Sequence, residues 1–219
     1  MRISYHTLAL MLLCASCTNQ NQNQDPLYTL NGKPKPHIAL VPLIDHSEND
    51  LSWNVSEEIT TCLEGRVYEK GNLLLDDSRK VLQITGRMSP EQNPFGENIQ
   101  WMKSMFDTQY VSFMELLEHE EVPIHTSNLD ESPANLKIAL RLRVVDLRGD
   151  TPQVILQEIL HSNHYVPKQF TKSMFGHVYW GHEVYSISPT GLAHGQLIKE
   201  IASRIEDYVL IHEAITNEI

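Results

Sequence analysis

The sequence predicts an α/β fold: a single sandwich domain with a mixed sheet, an antiparallel hairpin within it, and helices packed on it, including a long C-terminal helix. Three patterns carry this. Residues 37–75 read strand, helix, strand. Residues 136–160 read as two strands joined by a turn. From Ser188 onward, apolar residues recur at helical spacing as far as Val209.

The run His37-Ile-Ala-Leu-Val-Pro-Leu-Ile44 is short, apolar and rich in β-branched residues, which marks a buried strand. Pro42 puts its end near an edge or a bulge, because proline cannot donate to a ladder. Asp45 to Asp50 is a polar loop. Asn54 then caps a helix, with Glu57 three residues on and Val55, Ile59, Cys62, Leu63 and Val67 on one face. Gly71 suits the helix end, and Asn72 to Leu75 forms the next strand. Val81 to Met88 fits a short strand or a short helix equally. Ser89 to Gly96, with Pro90 and Pro94, is a loop, and Ile99, Met102 and Phe106 mark a helix near 97–106. Tyr110 to Leu117 is a strand and His119 to Pro133 an acidic loop.

From Leu136 to Val144, apolar residues alternate with Lys137, Ala139, Arg141 and Arg143. That pattern is a half-buried strand with a basic outer face. A turn at Arg148-Gly149-Asp150-Thr151-Pro152 leads to its partner, Val154 to Leu160. Ser188-Pro189 opens the last helix, with Ser as N-cap and Pro in the first turn. Ile198, Ile201, Ile205, Tyr208 and Val209 form its stripe, with Lys199, Glu200, Arg204, Glu206 and Asp207 mostly opposite.

The amino terminus has a separate character. Arg2 precedes the apolar run Leu8 to Ala15, 8 residues long. A membrane span needs roughly 20. The run has the length of a secretory leader's hydrophobic region, and small Ala15 and Ser16 precede Cys17. This order resembles a bacterial lipoprotein signal, although Cys14 stands where the usual pattern has Leu. The resemblance implies a signal peptide over 1–16, cleavage between Ser16 and Cys17, and lipidation of Cys17 by diacylglycerol and an amide-linked acyl chain such as palmitate. Residues 17–36 are then the lipidated Cys and a flexible tether, and 37–219 the globular domain. The tract Thr18 to Gln24 carries no charge and no apolar residue, and seven flexible residues reach about 14 Å. Neither Thr18 nor Asn19 is the Asp that retains lipoproteins in the inner membrane, so the resemblance favours the outer membrane, facing the periplasm.

The run Ile38-Ala-Leu-Val-Pro-Leu-Ile-Asp-His-Ser47, the helix after it, and the segment Arg141-Leu-Arg-Val-Val-Asp-Leu-Arg-Gly149 also resemble an envelope fold. It is that of the TolB amino-terminal domain, the curli-secretion lipoprotein and the lipoprotein activators of penicillin-binding proteins. The overall pattern is similar to lipoproteins of chlamydia-like bacteria. The resemblance covers 37–160 and the closing helix. It implies a protein-binding accessory factor of envelope assembly, secretion or cell-wall synthesis.

Composition narrows the function classes. A formal net charge of −11 disfavours nucleic acid and anionic lipid surfaces, so membrane attachment falls to the lipid anchor. The 3 Cys cannot form a disulfide scaffold. Cys14-Ala-Ser-Cys17 spells C-x-x-C, but inside an apolar leader rather than at a helix start. No G-x-S-x-G, G-x-x-x-x-G-K-[ST], G-x-G-x-x-G or H-E-x-x-H occurs. His161 and His164 would point to opposite faces of a strand. Cys62 reads as a small core residue. The reading is therefore non-enzymatic, with no catalytic residue, no metal and no cofactor beyond the lipid on Cys17. An anchored metal-dependent or other hydrolase and a lipid carrier are the alternatives. Tyr179 and Trp180, flanked by Gly176 and Gly181, and Arg141 and Arg143 are the candidate partner contacts, since aromatics and Arg form binding hot spots.

Overall fold

The structure, a computed structural model, describes residues 27–29, 32–124, 132–170 and 178–216. The expected signal peptide, with Ser16 and Cys17, lies outside the described residues. The chain divides into two units, 1–34 and 35–219. In the first, the chain folds back so that Tyr28 bridges Pro34. Thr29 N donates to Lys33 O at 2.8 Å, and Gly32 takes the left-handed φ of 71° that this turn requires.

The second unit runs β1 (His37–Leu40), β2 (Ile44–Asp45), α1 (Val55–Lys70), β3 (Leu74–Leu75), α2 (Ser78–Thr85), α3 (Gln100–Met105), β4 (Tyr110–Pro123), β5 (Ala134–Asp146), β6 (Gln153–Val166) and α4 (Pro189–Thr216). The sheet order is β3-β1-β4-β5-β6, with β2 beside β4. β1 is parallel to β3 and β4, whereas β4, β5 and β6 form an antiparallel meander. The expected mixed sheet with a hairpin and a long closing helix is what the chain builds.

Side-chain alternation sends β1, β4 and β5 into two cores. On one face Ile38, Leu40, Met114, Leu140 and Leu142 meet Ile59 and Leu63 of α1 and Leu197, Ile201 and Ile205 of α4. On the other, Ala39, Val41, Val111, Phe113 and Val145 meet Val81 of α2, Met102 of α3 and Phe106. Both faces are thus covered where the parallel strands join the hairpin.

Several elements differ from the sequence reading. The ambiguous 81–88 segment is helical only as far as Thr85, the end of α2, which Asp77 starts by accepting from Arg79 N at 2.9 Å. The helix near 97–106 is only the 6 residues of α3. Pro42 sits in the break between β1 and β2, where the chain rejoins β4 through Val41 N to Ser112 O at 3.0 Å. The acidic segment after Leu117 continues β4 as far as Pro123, because its backbone pairs with β5 through Glu120↔Lys137 and Pro123↔Ala134. A bulge between Leu116 and Glu118 precedes that extension.

The basic outer face on β5 is the clearest correction. Arg143 is 5% exposed, not solvated. Its guanidinium donates to the carbonyls of Pro94 (2.7 Å), Gly96 (2.7 Å) and Phe95 (3.0 Å), while Nε donates to Gln157 (2.6 Å). The loop thereby closes over the strand, and Arg143 satisfies carbonyls that no ladder reaches. Arg141 stays partly exposed and pairs with Glu115 directly across the strands at 2.9 Å.

Caps set both long helices. Asn54 Oδ1 accepts from Glu57 N at 3.1 Å, and Gly71 ends α1 at φ 68°. Ser188 Oγ accepts from Gly191 N at 3.1 Å to start α4. The apolar stripe of α4 is deeper than expected at Leu197 and Ala202, whereas Tyr208 is 38% exposed. Glu206, expected on the polar face, is buried and held by Lys70 and Asn72. The far end of α4 is pinned by Arg148, which pairs with Asp146 (2.7 Å) and Glu213 and lies over the Tyr110 ring at 4.8 Å.

Arg143→Met removes the charged donor and leaves three carbonyls of the 94–96 loop to find other partners. We expect it to lower stability by about 2–4 kcal/mol. Denaturant unfolding followed by Trp101 fluorescence checks this, since Trp101 packs against Phe113 beside that loop.

Candidate functional site

Opposite the 94–96 loop, α1 and the start of α4 run side by side and leave a groove between them. Its volume is about 710 Å³, and Cys62, Gly65, Trp180, Gly191, Gly195 and Ile198 are among its lining residues. Beside Gly65 and Gly195 the groove is open, since a Cβ at either position would meet no atom within 4 Å. Gly191 has a different duty. A Cβ there would stand 2.0 Å from the Tyr185 carbonyl oxygen, so only glycine lets α4 start against the turn Tyr185–Ile187.

Beneath the groove lies a buried polar network. Glu58 of α1 is 1% exposed and His194 of α4 is 1% exposed. Trp53 Nε1 donates to Glu58 Oε2 at 2.7 Å. Tyr185 OH donates to Glu58 Oε1, and His194 Nδ1 lies 2.9 Å from the same oxygen. His194 Nε2 lies 2.8 Å from Nε2 of His119 on β4. Burial alone would raise the Glu58 carboxyl, but the hydrogen bond and charge of His194, with the bonds from Tyr185 and Trp53, hold it below its ordinary value. Burial raises the Tyr185 hydroxyl, reinforced by the Glu58 charge.

A hydrogen bond between the facing Nε2 atoms needs one of them protonated and the other bare. Protonating both nitrogens would set two N–H groups against each other. Burial, and then the charge of His194, push His119 down to about 4 from 6.5. Cys62 is also perturbed: burial and the nearby Glu58 charge raise its thiol, although a hydrogen bond with Trp180 opposes them.

This chemistry suits binding more than turnover. The Glu58 carboxylate already accepts from three donors, which leaves it poorly placed to take a proton from a substrate. A raised thiol is mostly unionised at neutral pH and is a weak nucleophile. Among the described residues, no three His, Cys, Asp or Glu side chains are placed to hold a metal ion. Among the same residues no helix is long and apolar enough to cross a membrane.

Of the candidate contacts, Trp180 lines the groove and Tyr179 is exposed beside it, its ring 5.8 Å from that of His182. Arg141 and Arg143 lie elsewhere, on the opposite face of the sheet beside Phe95. The structure therefore does not bring the four residues together. Sequence reasoning missed Glu58, His194 and Tyr185. A signal was present: Glu58 stands three residues after Val55 and four before Cys62, and His194 four before Ile198. Each is a titratable residue inside an apolar stripe.

The His119 ring makes stability pH-dependent. Above about 6.5 the ring is neutral in both native and unfolded chains and adds no slope. Below that, the unfolded chain binds a proton that the native chain refuses until about pH 4. Stability is therefore expected to fall as pH drops through this window, by at most roughly 3 kcal/mol from this ring. Glu58, held low, adds a further loss at more acid pH. Urea unfolding at a series of pH values tests this, and His119→Gln should flatten the slope between 6.5 and 4.

A family of unknown function, DUF7499, matches residues 24–213. No match is found among curated proteins. Among solved structures, the hypothetical protein CT253 from Chlamydia trachomatis is similar at 22% identity and a TM-score of 0.64, over 80% of this chain and 98% of that one. That likeness is one of fold. Lipoprotein GNA1162 from Neisseria meningitidis matches at 13% identity and a TM-score of 0.46, over 78% of this chain and 99% of that one. The LpoB C-terminal domain from Salmonella enterica matches at 13% identity and a TM-score of 0.37, over 58% of this chain and 82% of that one. With 24–213 matched, the chain belongs to the DUF7499 family.

Proposed function

We propose that this protein is a lipid-anchored lipoprotein of the bacterial envelope that binds a protein partner and performs no catalysis. The observation that carries the binding reading is the groove between α1 and α4, lined by glycines, Trp180 and Ile198 with Arg66, Glu69 and Lys199 also on its walls, over a floor whose polar groups are already satisfied. Such a site offers shape and apolar area, the usual substance of a binding hot spot. The anchor rests on the leader and Cys17, and the outer membrane on Thr18 and Asn19. The resemblance to envelope lipoproteins supports an accessory role in envelope assembly, secretion or cell-wall synthesis. Tyr179 and Trp180 are the proposed contacts. Arg141 is a second, weaker one, and Arg143 acts only by holding the 94–96 loop.

The apolar character of the groove also favours a second reading, carriage of an apolar envelope molecule. Native mass spectrometry of the extracted protein distinguishes them: a stoichiometric small ligand supports carriage, and its absence supports the protein partner.

Intact mass tests the anchor. The membrane-extracted chain should match residues 17–219 plus acyl chains, and Cys17→Ala should lack that mass. An unmodified wild-type mass would remove the anchor. For the partner, Trp180→Ala should weaken in-cell crosslinking roughly tenfold or more, as loss of a hot-spot aromatic does. Unchanged crosslinks would place the interface elsewhere.

A further inference from the structure

The groove between α1 and α4 has a direction that its occupant must follow. Glu58 meets His194 at 2.9 Å and Lys70 meets Ser203 at 3.3 Å, so the two helices run parallel and side by side. The groove lies along both. From Glu58 to Glu69 its α1 wall rises about 16 Å. Trp180 is hydrogen-bonded with Cys62 of that wall.

The walls decide what backbone can lie there. Both are helices, and their backbone groups bond within the helix. An extended segment would find no ladder, and its own N–H and C=O groups would lose water without gaining partners. A helix brings its backbone bonds with it and asks only for side-chain contact. The approach of such a helix is limited by the side chains at the contact, and Gly65 and Gly195 present none. Charge adds a preference. Arg66 lies 3.5 Å from Glu69 on the same helix, so these two largely cancel, and Lys199 of α4 adds one further cation. Glu58 is satisfied beneath the groove by Trp53, Tyr185 and His194. The exposed wall is thus locally positive on a chain whose net charge is −11.

We propose that the groove receives one amphipathic helix of the partner, with its apolar stripe against Trp180 and Cys62 and an acidic residue beside Lys199. This rests on the protein-partner reading of the groove and names the segment that the partner supplies.

The test is in-cell photocrosslinking of the full chain, with a photoreactive side chain placed at Ser186 or at Glu69. Ser186 lies beside Gly191 at one end of the groove, and Glu69 lines the other. Mass spectrometry then locates the adducts on the partner. Both should fall in one segment, about ten to thirteen residues apart, as helical rise requires. A spacing of about five residues would mark an extended segment and overturn the proposal, as would adducts on unconnected segments. Either result leaves the partner reading standing. Lipid adducts alone, or no protein adduct at either position, would overturn the partner reading together with the proposal. Gly195→Leu fills the groove with a better helix former and should cut the adducts roughly tenfold or more. Lys199→Glu should weaken them several-fold, with Lys199→Arg restoring them. Tyr68→Ala, an exposed position of α1 outside the groove, should change nothing. Circular dichroism confirms that each variant is folded. Adducts indifferent to Gly195→Leu overturn the helix in the groove, and adducts indifferent to Lys199→Glu overturn its acidic contact.

Discussion

Much of the domain depends on how one carboxylate is buried. Glu58 lies almost wholly out of water in the middle of the α1 face. An ionised carboxylate in such a place is tolerated only if its oxygens are satisfied. Trp53, Tyr185 and His194 supply the donors, from the loop before α1, the turn before α4 and α4 itself. His119 extends the chain of contacts to β4. One charge thereby fixes the relation of two helices, one turn and the sheet. Gly191 belongs to the same constraint, because any Cβ would push α4 off the turn that presents Tyr185.

The opposite face of the sheet solves a different problem. The 94–96 loop has carbonyls that no strand can reach. Arg143 meets them with a single planar donor group, which a lysine's point charge could not do with the same geometry. Beyond that loop, among the described residues, Ile159 and Tyr165 of the hairpin remain exposed. The sheet is thus three-layered where the parallel strands enter and two-layered where the meander runs out.

These two arrangements bear on function in opposite ways. The perturbed groups beneath the groove look at first like catalytic machinery, since shifted titration often marks an active site. Here the shifts come from groups that satisfy one another, and such groups hold a shape. What reaches solvent is the groove rim, with Trp180 and Tyr179 near it. A scaffold that spends its ionisable groups on rigidity and presents aromatics at its surface suits recognition.

The alternation on β5, the caps Asn54 and Ser188 and the stripes of α1 and α4 were all legible in the sequence, because periodicity and capping are local. The extent of β4 was not, since Glu118, Glu120 and Glu121 look like a solvated loop and become strand only because β5 offers them a ladder. Arg143 was misplaced on a wet face because alternation says which face a residue takes, not whether another element covers it. Glu58 and His194 are 136 residues apart. Their pairing is a long-range contact between two helices, so a charge inside each apolar stripe was visible, but its partner was not. By itself the sequence determined most of the elements and their order. Tertiary packing decided which polar side chains were withdrawn from water, because that depends on neighbours the chain brings together only when folded.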